Sequence, residues 1–147
     1  MVQQTHHSVH FTIHTDGGAR GNPGPSGAGV IIRDELGNTV GSVSKFLGVQ
    51  TNNFAEYEAV ILGFEALGKL VSTAKRKETD VIIKMDSELV VKQMKGIYKV
   101  KNPALKEQSE RLKQIAGAFK SVTFTHVPRE ENSDADALAN EAMDRGV

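Results

Sequence analysis

Three strand signals follow one another at the start of the chain, before any helix signal, and this order constrains the fold more than any other feature. Residues 9–16 alternate between apolar and polar side chains, which is the pattern of a half-buried strand. A turn-rich stretch over 17–27 follows, and strand-forming residues return over 28–33 and from 39 to about 49. Gly37-Asn38 is a hairpin signal. The sequence therefore predicts three antiparallel strands that open a single sheet.

Helix and strand signals alternate through the rest of the chain. The predicted elements are, in order, a helix over residues 55–71, a strand over 81–86, a helix from Ser87 to about Tyr98, a helix over 104–119, a strand over 122–127 and a helix over 133–145. The resulting order is βββαβααβα. Because the later strands are entered through helices, we expect an α/β fold in which a five-stranded mixed sheet has helices on both faces.

Length and composition narrow the class of protein. A chain of 147 residues has room for one domain, which we place at residues 9–147 after a flexible polar tail at 1–8. There is no Cys, which excludes disulfides, zinc–thiolate sites and thiol nucleophiles. The chain has no apolar run of about 18 residues, and its first residues lack the apolar core of a signal peptide. We expect a cytoplasmic monomer or small oligomer that does not bind membranes.

A net charge of zero conceals an uneven distribution of charged side chains. Residues 69–120 carry 13 basic and 6 acidic side chains, whereas residues 1–68 carry 3 and 6, and residues 121–147 carry 2 and 6. A basic middle between acidic flanks suits a surface that attracts a polyanion beside a pocket that needs cations. The alternative is that the lysines are dispersed over the surface and serve solubility.

Two aspartates stand at the ends of predicted strands. Asp16 ends the first strand and Asp86 ends the fourth. In an open α/β sheet, ligands bind beyond the carboxyl ends of the strands, so parallel neighbours would place these carboxylates side by side. Two such groups repel each other unless a proton or a cation lies between them. Oxygen ligands without His or Cys suit Mg²⁺ or Mn²⁺.

Two further acids are placed near the same point by helix geometry. Glu56 is in register with the apolar positions of the first predicted helix, so it points towards the sheet, whereas Glu58 and Glu65 point to water. Asp136 lies in the first turn of the last helix, in register with its apolar positions. The alternative is that both acids only stabilise the positive end of a helix dipole.

Four short motifs in the sequence resemble those of one known family. They are Thr15-Asp16-Gly17-Gly18 with Gly21-Asn22-Pro23-Gly24-Pro25 and Gly27-Ala28-Gly29, then Thr51-Asn52-Asn53 with Ala55-Glu56, then Asp86-Ser87, and last Asn132 with Ala135-Asp136-Ala137-Leu138-Ala139. In this order and spacing they closely resemble type 1 ribonuclease H, in its compact archaeal and bacterial-like branch. The predicted order of elements is also that of the ribonuclease H-like fold.

The resemblance implies an endonuclease that cuts the RNA strand of an RNA–DNA hybrid and leaves 3′-hydroxyl and 5′-phosphate ends. It assigns four carboxylates as the catalytic ligands of two divalent cations, Mg²⁺ or Mn²⁺: Asp16, Glu56, Asp86 and Asp136. One ion would activate the attacking water, and the other would stabilise the leaving oxygen. Some members of this branch also cut double-stranded RNA.

The resemblance also assigns substrate contacts. Thr51 and Asn102 match positions that hold a phosphate of the DNA strand, and Asn22, Asn52 and Asn53 match positions that read the minor groove. For Asn52 and Asn53, helix capping alone is the alternative. Gly17 and Gly18 would let the backbone approach the RNA closely.

Three lysines follow the fourth strand at helical spacing. Lys92, Lys95 and Lys99 fall at i, i+3 and i+7 of the helix predicted after Asp86, where they would contact DNA phosphates. A solvated helix face is the alternative reading.

The sequence also departs from the family pattern. The basic protrusion that some members carry after this helix is missing, and the loop before the last helix lacks the mobile His of many members. Arg129 or Glu130 is a candidate to replace it, and the sequence does not decide between them. A nucleic-acid-binding module without activity is the rival from another class, but none of the four carboxylates is missing.

Overall fold

A computed structural model describes residues 9–147, so the flexible tail predicted at residues 1–8 lies outside the described residues. The strands are β1 (Val9–Ala19), β2 (Gly24–Arg33), β3 (Thr39–Gln50), β4 (Thr79–Met85) and β5 (Ser121–His126). The helices are α1 (Asn52–Gly68), α2 (Glu88–Met94), α3 (Pro103–Ala116) and α4 (Ser133–Arg145). Short 3₁₀ turns cover Ala74–Glu78 and Arg129–Asn132. None of the helices within residues 9–147 combines the length and the apolar composition that a membrane span requires.

The five strands form one mixed sheet in the order β3-β2-β1-β4-β5. The first three strands pair antiparallel, as the sequence predicts, and β4 pairs parallel with both β1 and β5. His14 of β1 is opposite Lys84 of β4. Asp16 and Asp86 each follow two residues later, so they leave neighbouring strands at the same edge of the sheet. This register is what brings the two aspartates together.

Helices cover both faces of the sheet, as predicted. α1 packs on one face with α3 beside it, and α4 packs on the other face against β1, β2 and β3. Fully buried side chains fill the space between α1 and the sheet: Ile13, Val30, Ile32, Tyr57, Ile61, Leu67, Val81 and Ile83. α4 approaches β2 so closely that a Cβ on Gly29 would lie 2.0 Å from the carbonyl oxygen of Ala135. The close approach carries the start of α4, and Asp136 with it, to the end of β1.

The glycine-rich stretch after Asp16 is more regular than the turn that the sequence predicts. β1 continues to Ala19 and β2 begins at Gly24, with Gly17 opposite Ala28 and Ala19 opposite Ser26. Only four residues remain for the turn between the two strands. The motif is therefore a tight hairpin. It extends beyond Asp16 and holds the backbone of Asp16 in place.

The prediction of a long helix after Asp86 is wrong. α2 ends at Met94, Lys95 is its C-cap, and Gly96 has a positive φ of 79°. Glycine adopts this conformation without steric cost, and it commonly ends a helix. Lys99 therefore lies beyond the helix, and Lys92, Lys95 and Lys99 do not form a stripe on one helix.

The prediction that Glu58 points to water is also wrong. Its Oε1 atom accepts a hydrogen bond of 3.2 Å from Nε2 of Gln108, because α3 packs along this side of α1. Glu65 stays at the surface, where it forms a 2.8 Å ion pair with Arg111 of α3. The helical pattern of α1 indicates which of its faces packs on the sheet. It does not indicate that α3 packs beside it.

Candidate active site

Four elements each bring one predicted carboxylate to a single pocket. Asp16 comes from β1, Glu56 from the first turns of α1, Asp86 follows β4, and Asp136 comes from the first turn of α4. All four line a cavity of about 310 Å³ at the carboxyl ends of β1 and β4. The structure thus brings together the four acids that the sequence singled out.

Two of the four carboxyl groups have a raised pKa. Burial, followed by the negative charges of Asp86, Asp136 and Glu56, raises the pKa of the Asp16 carboxyl to about 8. Burial also raises the pKa of Glu56 to about 7, with a contribution from the charge of Asp86, although a hydrogen bond from Ser87 acts in the opposite direction. Both groups therefore resist ionisation until a positive charge arrives.

The donor set fits hard divalent cations. The side chains offer only carboxylate oxygens, which Mg²⁺ and Mn²⁺ prefer, and the buried Oε2 atom of Glu56 has no hydrogen-bond partner among the described residues. Within residues 9–147, no three His, Asp or Glu side chains already converge closely enough to chelate an ion. The pocket therefore offers oxygen ligands whose mutual repulsion a bound cation would relieve.

Replacing Asp16 by Asn should stabilise the cation-free protein, and more so at high pH. The folded protein holds the Asp16 proton up to about pH 8, whereas the unfolded chain loses it near the ordinary value of 3.8. Ionisation therefore costs the wild type stability as the pH rises through this window, and Asn avoids that cost. In EDTA, we expect the melting temperature of Asp16→Asn to exceed that of the wild type by on the order of 5 °C at pH 9, and by less at pH 5. An equal difference at both pH values would contradict this electrostatic account.

The two glycines after Asp16 have different surroundings. A Cβ on Gly17 would lie 2.1 Å from the carbonyl oxygen of Ala55, so this glycine is required for α1 to pack against β1. At Gly18 the nearest atoms would be 3.8 Å away, and this residue lines the pocket. Both glycines line the pocket, but only at Gly18 is there room for a side chain.

Two asparagines tie the hairpin to the start of α1. The Oδ1 atom of Asn52 accepts a 2.7 Å bond from the backbone N–H of Ala19, and Oδ1 of Asn22 accepts a 3.0 Å bond from the backbone N–H of Asn52. Asn52 also lines the pocket. These bonds fix the Asn52 amide at the edge of the carboxylate pocket.

Asn52 and Asn53 do not cap α1. Thr51 is the N-cap of α1, and its Oγ1 atom accepts a bond from the N–H of Phe54. Capping alone therefore does not explain Asn52 and Asn53, which lie inside the helix. Asn102 is the N-cap of α3, where its Oδ1 atom accepts bonds from two backbone N–H groups.

The three lysines differ in their local partners. Lys92 forms a 3.1 Å ion pair with Glu88, and its Nζ atom lies 5.3 Å from the ring centroid of Tyr98. Lys95 and Lys99 are exposed and form no ion pair within residues 9–147. Of these three lysines, Lys95 and Lys99 therefore offer a positive charge that no ion pair among the described residues offsets.

Arg129 is one of two loop residues, with Glu130, between which the sequence does not decide. It lines the cavity, and its Nη2 atom lies 3.4 Å from Oδ1 of Asp136, whereas Glu130 does not line the cavity. The Arg129 side chain is 77% exposed, so it can reorient. Of Arg129 and Glu130, only Arg129 can therefore contact a ligand in this pocket.

Asn132 joins the two elements that carry Asp16 and Asp136. It is buried, its Nδ2 atom donates a 2.8 Å bond to the carbonyl oxygen of Thr15, and its Oδ1 atom lies 3.2 Å from Nδ1 of His14. The residue was visible in the fourth motif, but its partners depend on the tertiary fold. It fixes the end of β1 against the start of α4.

Comparison with known proteins assigns the family. The family described as Reverse transcriptase-like matches residues 14–142. The solved structure of LC11-RNase H1, isolated from compost, is 49% identical, with a TM-score of 0.86 over 92% of this chain and 96% of that one. The chain belongs to the type 1 ribonuclease H family. A ribonuclease H of Hydrogenovibrio crunogenus is 31% identical over 90% of this chain and 94% of its own length.

Some ribonuclease H relatives are longer than this chain. Ribonuclease HI of Halobacterium salinarum is 39% identical over 88% of this chain but 62% of its own length. The bifunctional protein Rv2228c of Mycobacterium tuberculosis is 42% identical over 90% of this chain and 35% of its own length. The chain thus corresponds to one part of these two relatives. The family and the fold that the motifs predict are confirmed.

Proposed function

We propose that this ribonuclease H cuts the RNA strand of RNA–DNA hybrids with the help of two divalent cations, Mg²⁺ or Mn²⁺, and leaves 3′-hydroxyl and 5′-phosphate ends. The observation that carries the proposal is the convergence of four carboxylates in one pocket. The crystal structure of LC11-RNase H1 in complex with RNA/DNA hybrid, 48% identical to this chain, supports the choice of substrate. The site is built by one chain, and we propose that the protein acts as a monomer in the cytoplasm.

The four carboxylates would hold the two cations, and Asp16 is the acid whose pKa the charges of Asp86, Asp136 and Glu56 all raise. When bound, the ions supply an activated water and a stabilised leaving oxygen for an in-line displacement at phosphorus. Arg129 would move from Asp136 to the phosphate that is cut, since its long side chain is exposed at the edge of the pocket.

The hairpin and the start of α1 would recognise the RNA strand. Asn22, Asn52 and Asn53 would meet the minor groove, where 2′-hydroxyls distinguish RNA from DNA. An amide donates to and accepts from a hydroxyl, so it suits this contact. Gly18 would let the backbone approach the RNA, since its pocket side carries no side chain.

The DNA strand would lie across the N-termini of α1 and α3. Thr51 and Asn102 cap these two helices, and backbone N–H groups at helix N-termini bind phosphates. Lys95 and Lys99, at and beyond the end of α2, would add positive charge along the same strand. We give Lys92 a smaller share because Glu88 already offsets its charge.

Removing a lysine that contacts phosphate should weaken the salt dependence of binding. For Lys95→Ala and Lys99→Ala, in an Asp16→Asn background that prevents cleavage, we expect the log–log slope of affinity against salt to fall by roughly one unit each. Lys77→Ala is the matched control, because this exposed lysine precedes β4 and so lies at the opposite end of the strand from Asp86. If the slopes do not differ from that of the control, both lysines are solvated surface residues that do not contact phosphate.

A panel of labelled substrates tests the proposed function. RNA–DNA hybrid, double-stranded RNA and double-stranded DNA would be incubated with the protein and Mg²⁺ or Mn²⁺. We expect the hybrid to be cut fastest and double-stranded DNA to remain intact. Faster cleavage of double-stranded RNA would replace the proposed substrate, and binding without cleavage of any substrate would favour the non-catalytic rival.

A further inference from the structure

A row of polar side chains on α4 leads away from Asp136. Asp136, Asn140 and Asp144 are spaced by four residues and share one face of the helix. The Nδ2 atom of Asn140 donates to Asp136, at 3.3 Å to Oδ2 and 3.0 Å to the backbone oxygen. Arg20, from the hairpin turn, reaches this row with a 2.6 Å ion pair to Asp144. Its Nη2 atom donates to Asn140, at 3.3 Å to Oδ1 and 3.4 Å to the backbone oxygen.

The chemistry of the row fixes the direction of the Asn140 amide. A guanidinium has only donors and an ionised carboxylate has only acceptors. An amide between them must therefore turn its oxygen to Arg20 and its NH2 group to Asp136, which is the orientation observed. Arg20 and Asp136 thus favour the same orientation of the Asn140 amide.

The arrangement also connects Asp136 to the strand that carries Asp16. Arg20 follows β1 directly, and both Arg20 and Asn140 line the carboxylate pocket. The other oxygen of Asp136 lies near the exposed Arg129, and the Asp136 carboxyl also meets that of Asp16 in the pocket. Asn140 is less exposed than Arg129 and contacts both the side chain and the backbone oxygen of Asp136. Because the Arg20–Asp144 pair is exposed, it contributes little to stability.

We propose that Arg20 and Asn140 are positioning residues: Asn140 orients the Asp136 carboxylate for its cation, and Arg20 acts through Asn140. The inference rests on the proposed function, in which Asp136 is a cation ligand. Groups that orient a ligand in this way commonly change metal affinity or activity about 10–100-fold when they are removed.

Calorimetric titration of the substrate-free protein with Mn²⁺ tests the inference without any cleavage assay. We expect Asn140→Ala to weaken Mn²⁺ binding about ten-fold and Arg20→Ala to weaken it less. The double variant should bind no more weakly than Asn140→Ala, because Arg20 acts through the amide. Arg33→Ala is the matched control, since it removes a strand-to-α4 ion pair with Asp134, which does not line the pocket.

Hybrid cleavage then separates positioning from substrate contact. We expect Asn140→Ala and Arg20→Ala to need more Mn²⁺ for half-maximal kcat, with the KM for hybrid little changed, and Arg20→Lys to recover part of the loss. Melting temperatures should stay within a few degrees of the wild type, which excludes unfolding as the cause.

Three outcomes would overturn the inference. The first is Mn²⁺ affinity in Asn140→Ala equal to that of the Arg33→Ala control. The second is strictly additive losses in the double variant, and the third is an increase in KM for hybrid at unchanged Mn²⁺ affinity. Wild-type protein that binds Mn²⁺ but cuts no hybrid would overturn the proposed function instead.

Discussion

Replacing Asp16 or Asp86 by Asn is expected to reduce hybrid cleavage at least about a thousand-fold, which corresponds to roughly 4 kcal/mol of lost transition-state stabilisation. Both side chains line the pocket between β1 and β4, and both would be cation ligands. Asn keeps the shape of Asp but loses the charge that holds a divalent ion. The protein should stay folded, because the change relieves repulsion among the four carboxylates.

Single-turnover cleavage of labelled hybrid, with matched purity and Mg²⁺ concentration, measures the effect. Asp134→Asn is the control, since Asp134 lies in the same first turn of α4 as Asp136 but pairs with Arg33 outside the pocket. We expect this control to retain nearly full activity. Retained activity in both Asp16→Asn and Asp86→Asn would exclude the assignment of two cations to this pocket.

Gly17→Ala should destabilise the protein by about 3 kcal/mol and lower its melting temperature by roughly 10 °C. The new Cβ would lie 2.1 Å from the carbonyl oxygen of Ala55, which belongs to the backbone of α1 and cannot swing aside. Either α1 or β1 must shift. Because Asp16 and Glu56 are the neighbours of the two residues in conflict, the shift would also disturb the pocket.

Gly18→Ala is the matched control for this prediction. A Cβ there would meet its nearest atoms at 3.8 Å, which is an ordinary contact, so its melting temperature should stay close to that of the wild type. If Gly18 faces the RNA, this variant should nevertheless cut hybrid more slowly. Equal melting temperatures for the two variants, measured by circular dichroism, would show that Gly17 does not determine how closely α1 packs.

The order of the elements and the meeting of the four carboxylates were accessible from the sequence. Period-two alternation marks the strands, and the register of Glu56 and Asp136 with apolar positions marks the helix faces that meet the sheet. These are local signals that the tertiary fold preserves. They sufficed to bring residues from four separate elements to one pocket.

Features that depend on how a second helix or strand packs could not be predicted from the sequence. The sequence directs Glu58 to water because the pattern of α1 does not show that α3 lies beside it. The contact between Arg20 and Asn140 joins residues 120 positions apart and requires both the hairpin and α4 in place. The early end of α2 is a different case, since the sequence itself shows Gly96, and glycine commonly ends a helix.

Cleavage of a hybrid labelled on both strands, by protein stripped of cations, tests the central claim most directly. In EDTA we expect neither strand to be cut. After Mg²⁺ is restored, the RNA strand should be cut to fragments with 3′-hydroxyl ends that a polymerase can extend, while the DNA strand stays intact. Undiminished cleavage in EDTA, or equal cleavage of both strands after Mg²⁺ is added, would contradict a cation-dependent ribonuclease H built on these four carboxylates.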